Sequence, residues 1–119
     1  MSLRDLQGKW RINSLEIDGV SVPAAAYVNA RISVDGDRFV STGMGADYSG
    51  RVSVDDATAP AIFSLAFEHG PEAGNINSGV YELTEGGWRF CINMSGGPAP
   101  DGFTTAPGSG RALQSLVRE

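Results

Sequence analysis

The 119 residues of this chain are enough for one domain with its own core and too few for two. Nine basic against fourteen acidic side chains leave a net charge of −5. That balance argues against nucleic acid, whose binding needs a basic patch to displace counterions. No run of about eighteen apolar residues occurs, so no membrane-spanning helix is expected.

The opening residues, Met1-Ser2-Leu3-Arg4-Asp5, lack the basic and apolar regions of a secretory signal. Met1-Ser2-Leu3 also reads as a cloning remnant, which leaves a trimmed upstream signal open. The lone cysteine, Cys91, forbids an internal disulfide and suits a reducing, cytoplasmic setting. Sixteen glycines and six prolines separate short apolar runs, as in a chain of many strands joined by turns.

Asp5 is a candidate cap for half a turn of helix, or a tight turn, before Gly8. A first strand is expected from about Lys9 to Ile17. Its apolar residues are Trp10 and Ile12, then Leu15 and Ile17, so the two-residue alternation slips near Asn13-Ser14. Such a slip indicates a β-bulge or a sharp bend, a device that helps close a barrel. Asp18-Gly19 is a hairpin-type turn, and Val20-Ser21-Val22 can pair briefly after it. Pro23 to Val28 carries the one helical signal: proline in the first turn, then three alanines. A helix of one or two turns, lying over one mouth of the sheet, is expected there.

The strands then come quickly. Arg31–Val34 and Arg38–Thr42 flank Asp35-Gly36-Asp37, a hairpin tip. Tyr48–Val54 follows, with Tyr48, Gly50, Val52 and Val54 on one face. Ala61–Glu68 alternates strictly through Phe63, Leu65 and Phe67. Ile76–Leu83 puts Tyr81 and Leu83 opposite Val80. Trp88, Phe90, Ile92 and Met94 alternate against Arg89, Cys91 and Asn93. Ser95–Gly110 is rich in glycine, proline, serine and threonine and reads as a long loop anchored by Phe103. Arg111–Arg118 is the last strand, with Leu113 and Val117 opposite Leu116. Eight strands joined mostly by short turns imply antiparallel neighbours. The expected fold is all-β: an eight-stranded antiparallel up-and-down barrel with one short helix, because closure removes exposed edges.

Several stretches taken together resemble a known family. They are Leu6-Gln7-Gly8-Lys9-Trp10, Ser14-Leu15-Glu16-Ile17-Asp18-Gly19 and Gly36-Asp37-Arg38-Phe39, then Gly79-Val80-Tyr81-Glu82-Leu83, Phe90-Cys91-Ile92 and Pro107-Gly108-Ser109-Gly110. The family is a lipocalin-like conserved hypothetical bacterial domain, of planctomycete and acidobacterial type, and the likeness runs from Leu6 to Glu119. It implies a small calycin-type barrel and carries no activity with it. Gly8-x-Trp10 also resembles the lipocalin signature of the first strand. That likeness implies that Trp10 plugs the closed end while an arginine of the last strand stacks across it. Arg118 is the candidate for that role and Arg111 the runner-up.

Residues able to carry chemistry are few. His69 is the sole histidine, in a stretch that reads as a turn, and no Gly-x-Ser-x-Gly elbow accompanies it. Cys91 lies inside a strand and reads as a small buried hydrophobe. One histidine and one cysteine cannot build a zinc site, and Asp35, Asp37, Asp47, Asp55 and Asp56 match no calcium loop. No cofactor, metal or catalytic set is expected, and the protein is not read as an enzyme. The aromatic residues are the remaining signal. Trp10, Phe39, Tyr48 and Phe63 recur on the strands, followed by Phe67, Tyr81, Trp88 and Phe90. They make either a filled core or a partly open cavity for a small apolar or amphipathic ligand. In the second reading Tyr48, Phe63, Phe67, Tyr81, Trp88 and Phe90 line the site, with an inward arginine to orient the ligand. A filled barrel acting as a protein-interaction module, through Ser95–Gly110 or an edge strand, is the alternative.

Overall fold

The computed structural model describes residues 3–119, and these contain nine β-strands. They are β1 (Gly8–Ile17), β2 (Val20–Ser21), β3 (Arg31–Asp35), β4 (Arg38–Thr42), β5 (Tyr48–Asp55), β6 (Ala61–His69), β7 (Ile76–Thr84), β8 (Gly87–Asn93) and β9 (Arg111–Arg118). Every pairing is antiparallel. The order runs β1-β3-β4-β5-β6-β7-β8-β9 and returns from β9 to β1, with β2 attached to the edge of β1. Eight strands therefore close into an up-and-down barrel, as the alternation predicts.

Alternation and register together choose which residues enter the barrel. Val54, Phe63, Gly79, Ile92 and Ala112 stand side by side across β5 to β9. All face inward, and Phe63, Ile92 and Ala112 are buried. Gly79 belongs in that row for a steric reason. A Cβ there would lie 2.7 Å from Cε1 of Phe63 and 2.5 Å from the carbonyl oxygen of Cys91. The ring uses the space that glycine leaves.

β1 is bent as its sequence implies. Gly8 to Arg11 pair with β3, whereas Glu16 and Ile17 pair with β2. β9 follows β1 throughout, with a register shift between Ile12 and Ser14. The bulge lets Trp10 and Ile12 on one side of it, and Leu15 on the other, all be buried. A second shift between Ser49 and Gly50 lies in the β5–β6 pairing and was not read from the sequence. The hairpin after β1 turns through Asp18 (φ 51°) and Gly19 (φ 81°), both left-handed as a tight β-hairpin turn requires.

The helix expected over Pro23–Val28 is reduced to one 3₁₀ turn, Ala24–Ala26. Pro23 is extended (φ −59°, ψ 142°) and Tyr27 has already left the helical region (φ −130°, ψ 16°). β3 begins at Arg31, opposite Arg11, while β1 continues to Ile17. The segment must run beside the far half of β1, held by Val22 N–H to the Leu15 carbonyl (2.9 Å). Val22 and Tyr27 pack on the core while the three alanines stay exposed. Alanine propensity alone cannot hold so short a helix without an apolar face to bury. Another 3₁₀ turn, Leu3–Leu6, stands where a turn before Gly8 was expected, with Asp5 inside it rather than capping it. Met1 and Ser2 of the suggested cloning remnant lie outside the described residues, but Leu3 packs against the core. His69 ends β6 instead of sitting in a turn.

The 94–110 segment folds back over the outer wall. Val80 and Cys91 pair across β7 and β8 on that outer face, yet both are buried, as is Pro100. The guanidinium of Arg89 lies 4.2 Å from the Phe103 ring centroid. Thr105 Oγ1 donates to the Glu16 carboxylate and accepts from Gly19 N–H (2.8 Å), and Asp18 Oδ1 accepts from Gly110 N–H (2.7 Å). The loop is thus fastened to the β1–β2 turn.

Candidate functional site: an interior cavity at the open end

The two ends of the barrel differ because of what the strands bring to each. At one end the Leu3–Leu6 turn buries Leu6, and Trp10 Nε1 donates to the Leu6 carbonyl (2.9 Å). The Arg118 guanidinium lies 4.2 Å from the Trp10 ring centroid and donates to the carbonyls of Gln7 and Asp5, the latter at 3.0 Å. Gly8 has φ 111°, and a Cβ on it would lie 3.1 Å from Arg118 Nη1. The left-handed backbone favours glycine there, and an added Cβ would press on the end of the arginine. Arg111, the other candidate, instead reaches Asp101 (3.4 Å) beside the long loop. Above Trp10, Trp88 meets it edge-on at 5.5 Å. This end is closed. A shallow depression of 450 Å³ outside it is lined by Arg4, Asp5, Gln7 and Arg118 among others, but the guanidinium of Arg118 is already engaged.

Toward the other end the barrel encloses a cavity of about 260 Å³. Phe63, Trp88 and Phe90 contribute to its inner part, where Phe63 packs on Phe90 at 5.0 Å and on Trp88 at 6.2 Å. Tyr48 and Phe67 stand higher, with Phe67 edge-on to Phe39 at 5.4 Å and to Tyr48 at 5.9 Å. Ile17, Met44, Glu72 and Met94 come from strand ends and loops at the mouth. Five of the six aromatic residues nominated from the sequence therefore border one space.

Tyr81 does not. It is 0% exposed and lies on the far side of Phe63, whose ring it meets edge-on at 5.8 Å. Alternation identifies an inward face but not depth, and the register of β7 carries Tyr81 below the floor. Its hydroxyl is buried with no hydrogen-bond partner. Burial, then the charges of Asp56 and Asp5, push its pKa up. The inward arginine is also absent: among the described residues Glu72 is the only charged group lining the cavity.

The polar groups present are ones that the sequence reading passed over. Asn77 on β7 is 4% exposed and lines the cavity. Gln114 on β9 lines it too, and its Oε1 is buried without a partner, as is Trp88 Nε1. The signal was parity. Asn77 shares the face of Tyr81, and Gln114 shares the face of Leu116, so each is a polar residue at an inward position.

The chemistry-bearing residues lie elsewhere. His69 is exposed. Cys91 is 0% exposed under the outer loop, its Sγ donating to the Thr104 carbonyl at 3.6 Å. Burial pushes its pKa up, against a smaller opposing effect of Arg111. No cluster of three metal-ligating side chains occurs among the described residues, and no helix among them is long and apolar enough to cross a membrane. No protein-family model, curated protein or solved structure matches the chain.

Proposed function

We propose that the protein binds a small, largely apolar molecule inside its barrel, and that it acts as a binding domain rather than as an enzyme. The observation that carries this reading is the 260 Å³ cavity walled by aromatic and aliphatic side chains. Protein interiors pack to crystal-like density and hold few voids larger than a water molecule. A space of this size under an aromatic floor is therefore more than packing slack. Since an apolar cavity of about 150 Å³ accepts benzene, this one suits a molecule of about ten non-hydrogen atoms.

The interaction-module alternative predicts a filled barrel and a contiguous apolar patch outside it, at the Ser95–Gly110 loop or an exposed edge strand. The 94–110 segment is instead engaged in covering Val80 and Cys91.

Mass spectrometry of protein purified under native conditions tests the proposal. A bound organic molecule of about ten to fifteen non-hydrogen atoms is expected, and it should be lost from a cavity-filling Ala112→Phe variant that keeps its fold by circular dichroism. If nothing co-purifies and propylbenzene does not bind either, the proposal fails.

A further inference from the structure

The walls of the cavity are largely apolar, and all but one of its polar groups are uncharged. Asn77 is 4% exposed and lines the cavity. Gln114 faces the same space from β9, with its Oε1 buried and unpartnered, and Trp88 in the inner wall has an unpartnered Nε1–H. Buried polar groups without partners are rare because each costs free energy unless something satisfies it. Two carboxamides and an indole N–H offer both donors and acceptors, and none carries charge. The one charged lining group, Glu72, is anionic, and it sits on the β6–β7 turn at the mouth.

We infer that the cavity selects an uncharged ligand of about ten non-hydrogen atoms, with a hydrogen-bonding group of amide type that meets Asn77 and Gln114, and that it rejects carboxylates of equal size. The inference rests on the small-molecule reading above. An apolar body fills the space between Phe63, Phe67 and Trp88. Its polar end meets the Asn77 amide and supplies the partner that Gln114 Oε1 lacks. A carboxylate would give up its hydration for a site without a cation, and would enter past a like charge. Short aliphatic acids, which size alone would admit, are therefore excluded here by charge.

The test uses three probes with the same body: propylbenzene, 3-phenylpropanamide and 3-phenylpropanoate, titrated at neutral pH by calorimetry and by tryptophan fluorescence, since Trp88 lines the site. The amide is expected to bind at least tenfold more tightly than the carboxylate. Asn77→Leu should weaken the amide at least tenfold and leave propylbenzene unchanged or tighter. Should Asn77→Leu fail to fold, Asn77→Ser, which keeps polarity but shortens the reach, should weaken the amide several-fold. Carboxylate binding within threefold of the amide, or an undiminished amide preference in the folded variant, overturns the inference while leaving the binding proposal standing. Failure of all three probes to bind overturns the inference, and the binding proposal falls with it when nothing co-purifies either.

Discussion

The Arg118 guanidinium, at the end of the last strand, lies 4.2 Å from the ring centroid of Trp10, two residues into the first. The pair joins the two ends of the barrel sequence across one closing seam, where Trp10 and Arg118 are register partners. The same guanidinium holds the carbonyls of Gln7 and Asp5. One side chain thus covers the plug and pins the turn that leads to it.

Trp10 is buried and edge-packed on Trp88. Trp10→Ala should lower stability by about 3–5 kcal/mol in chemical denaturation, as large aromatic truncations do. Arg118→Lys should cost about 1 kcal/mol, because an ammonium loses the planar stacking and the paired carbonyl contacts. A Trp10→Ala protein as stable as the parent would show that Trp10 does not close the barrel.

Gly79 leaves room for Phe63 by less than the width of a methyl group. Gly79→Ala should therefore destabilise by about 1–3 kcal/mol through overpacking. It should also shift the Phe63 and Phe90 ring resonances in NMR spectra, since those rings are in contact. Gly86, whose added Cβ would meet nothing within 4 Å but whose φ is 72°, provides a contrast limited to backbone strain.

Asn77 is a polar side chain buried at an inward position of β7. Asn77→Leu should raise the stability of the ligand-free protein by about 1 kcal/mol, since it replaces a buried amide with apolar contact. A stabilising change at a position that weakens amide binding would mark Asn77 as retained for recognition. A large loss of stability would instead indicate a structural role.

Tyr81 has its pKa pushed up in the folded protein, first by burial and then by Asp56 and Asp5. Below about pH 10 tyrosine is neutral in both states, so the group adds no pH dependence there. Above it the unfolded chain ionises first and stability falls as pH rises toward the folded-state pKa. Tyr81→Phe should therefore unfold less steeply than the parent above about pH 10, while the two curves run parallel at pH 7 to 9. Denaturation midpoints measured across that range decide it.

Cys91 lies under the 94–110 segment with its thiol held protonated by burial. Native protein should react with a thiol reagent at least tenfold more slowly at neutral pH than unfolded protein. Phe103→Ala, which removes the ring against Arg89, should loosen the loop and speed the reaction. Equal rates in native and unfolded protein would show that the loop does not cover this wall.

Much of the architecture was legible residue by residue. The slip in alternation at Asn13-Ser14 marked the bulge, Asp18-Gly19 marked the turn, and period-two runs from Phe63 and Trp88 marked the inward faces. These are local consequences of a pleated backbone with one buried side, so neighbouring residues suffice to show them. The helix over Pro23–Val28 was overstated for the converse reason. Propensity favours it locally, but the offset between β1 and β3, a relation between distant residues, draws the segment straight.

The sequence by itself determined that alternating strands would close on themselves and that Trp10 with its preceding glycine would enter at one end. Only the tertiary structure decided depth inside the barrel. Tyr81 and Phe90 share an inward face and a register position, yet strand tilt places Tyr81 beneath Phe63 and Phe90 against the cavity. Depth is set by stagger between strands far apart in the chain. No arginine lines the cavity among the described residues, and the side-chain amides of Asn77 and Gln114 face the space instead.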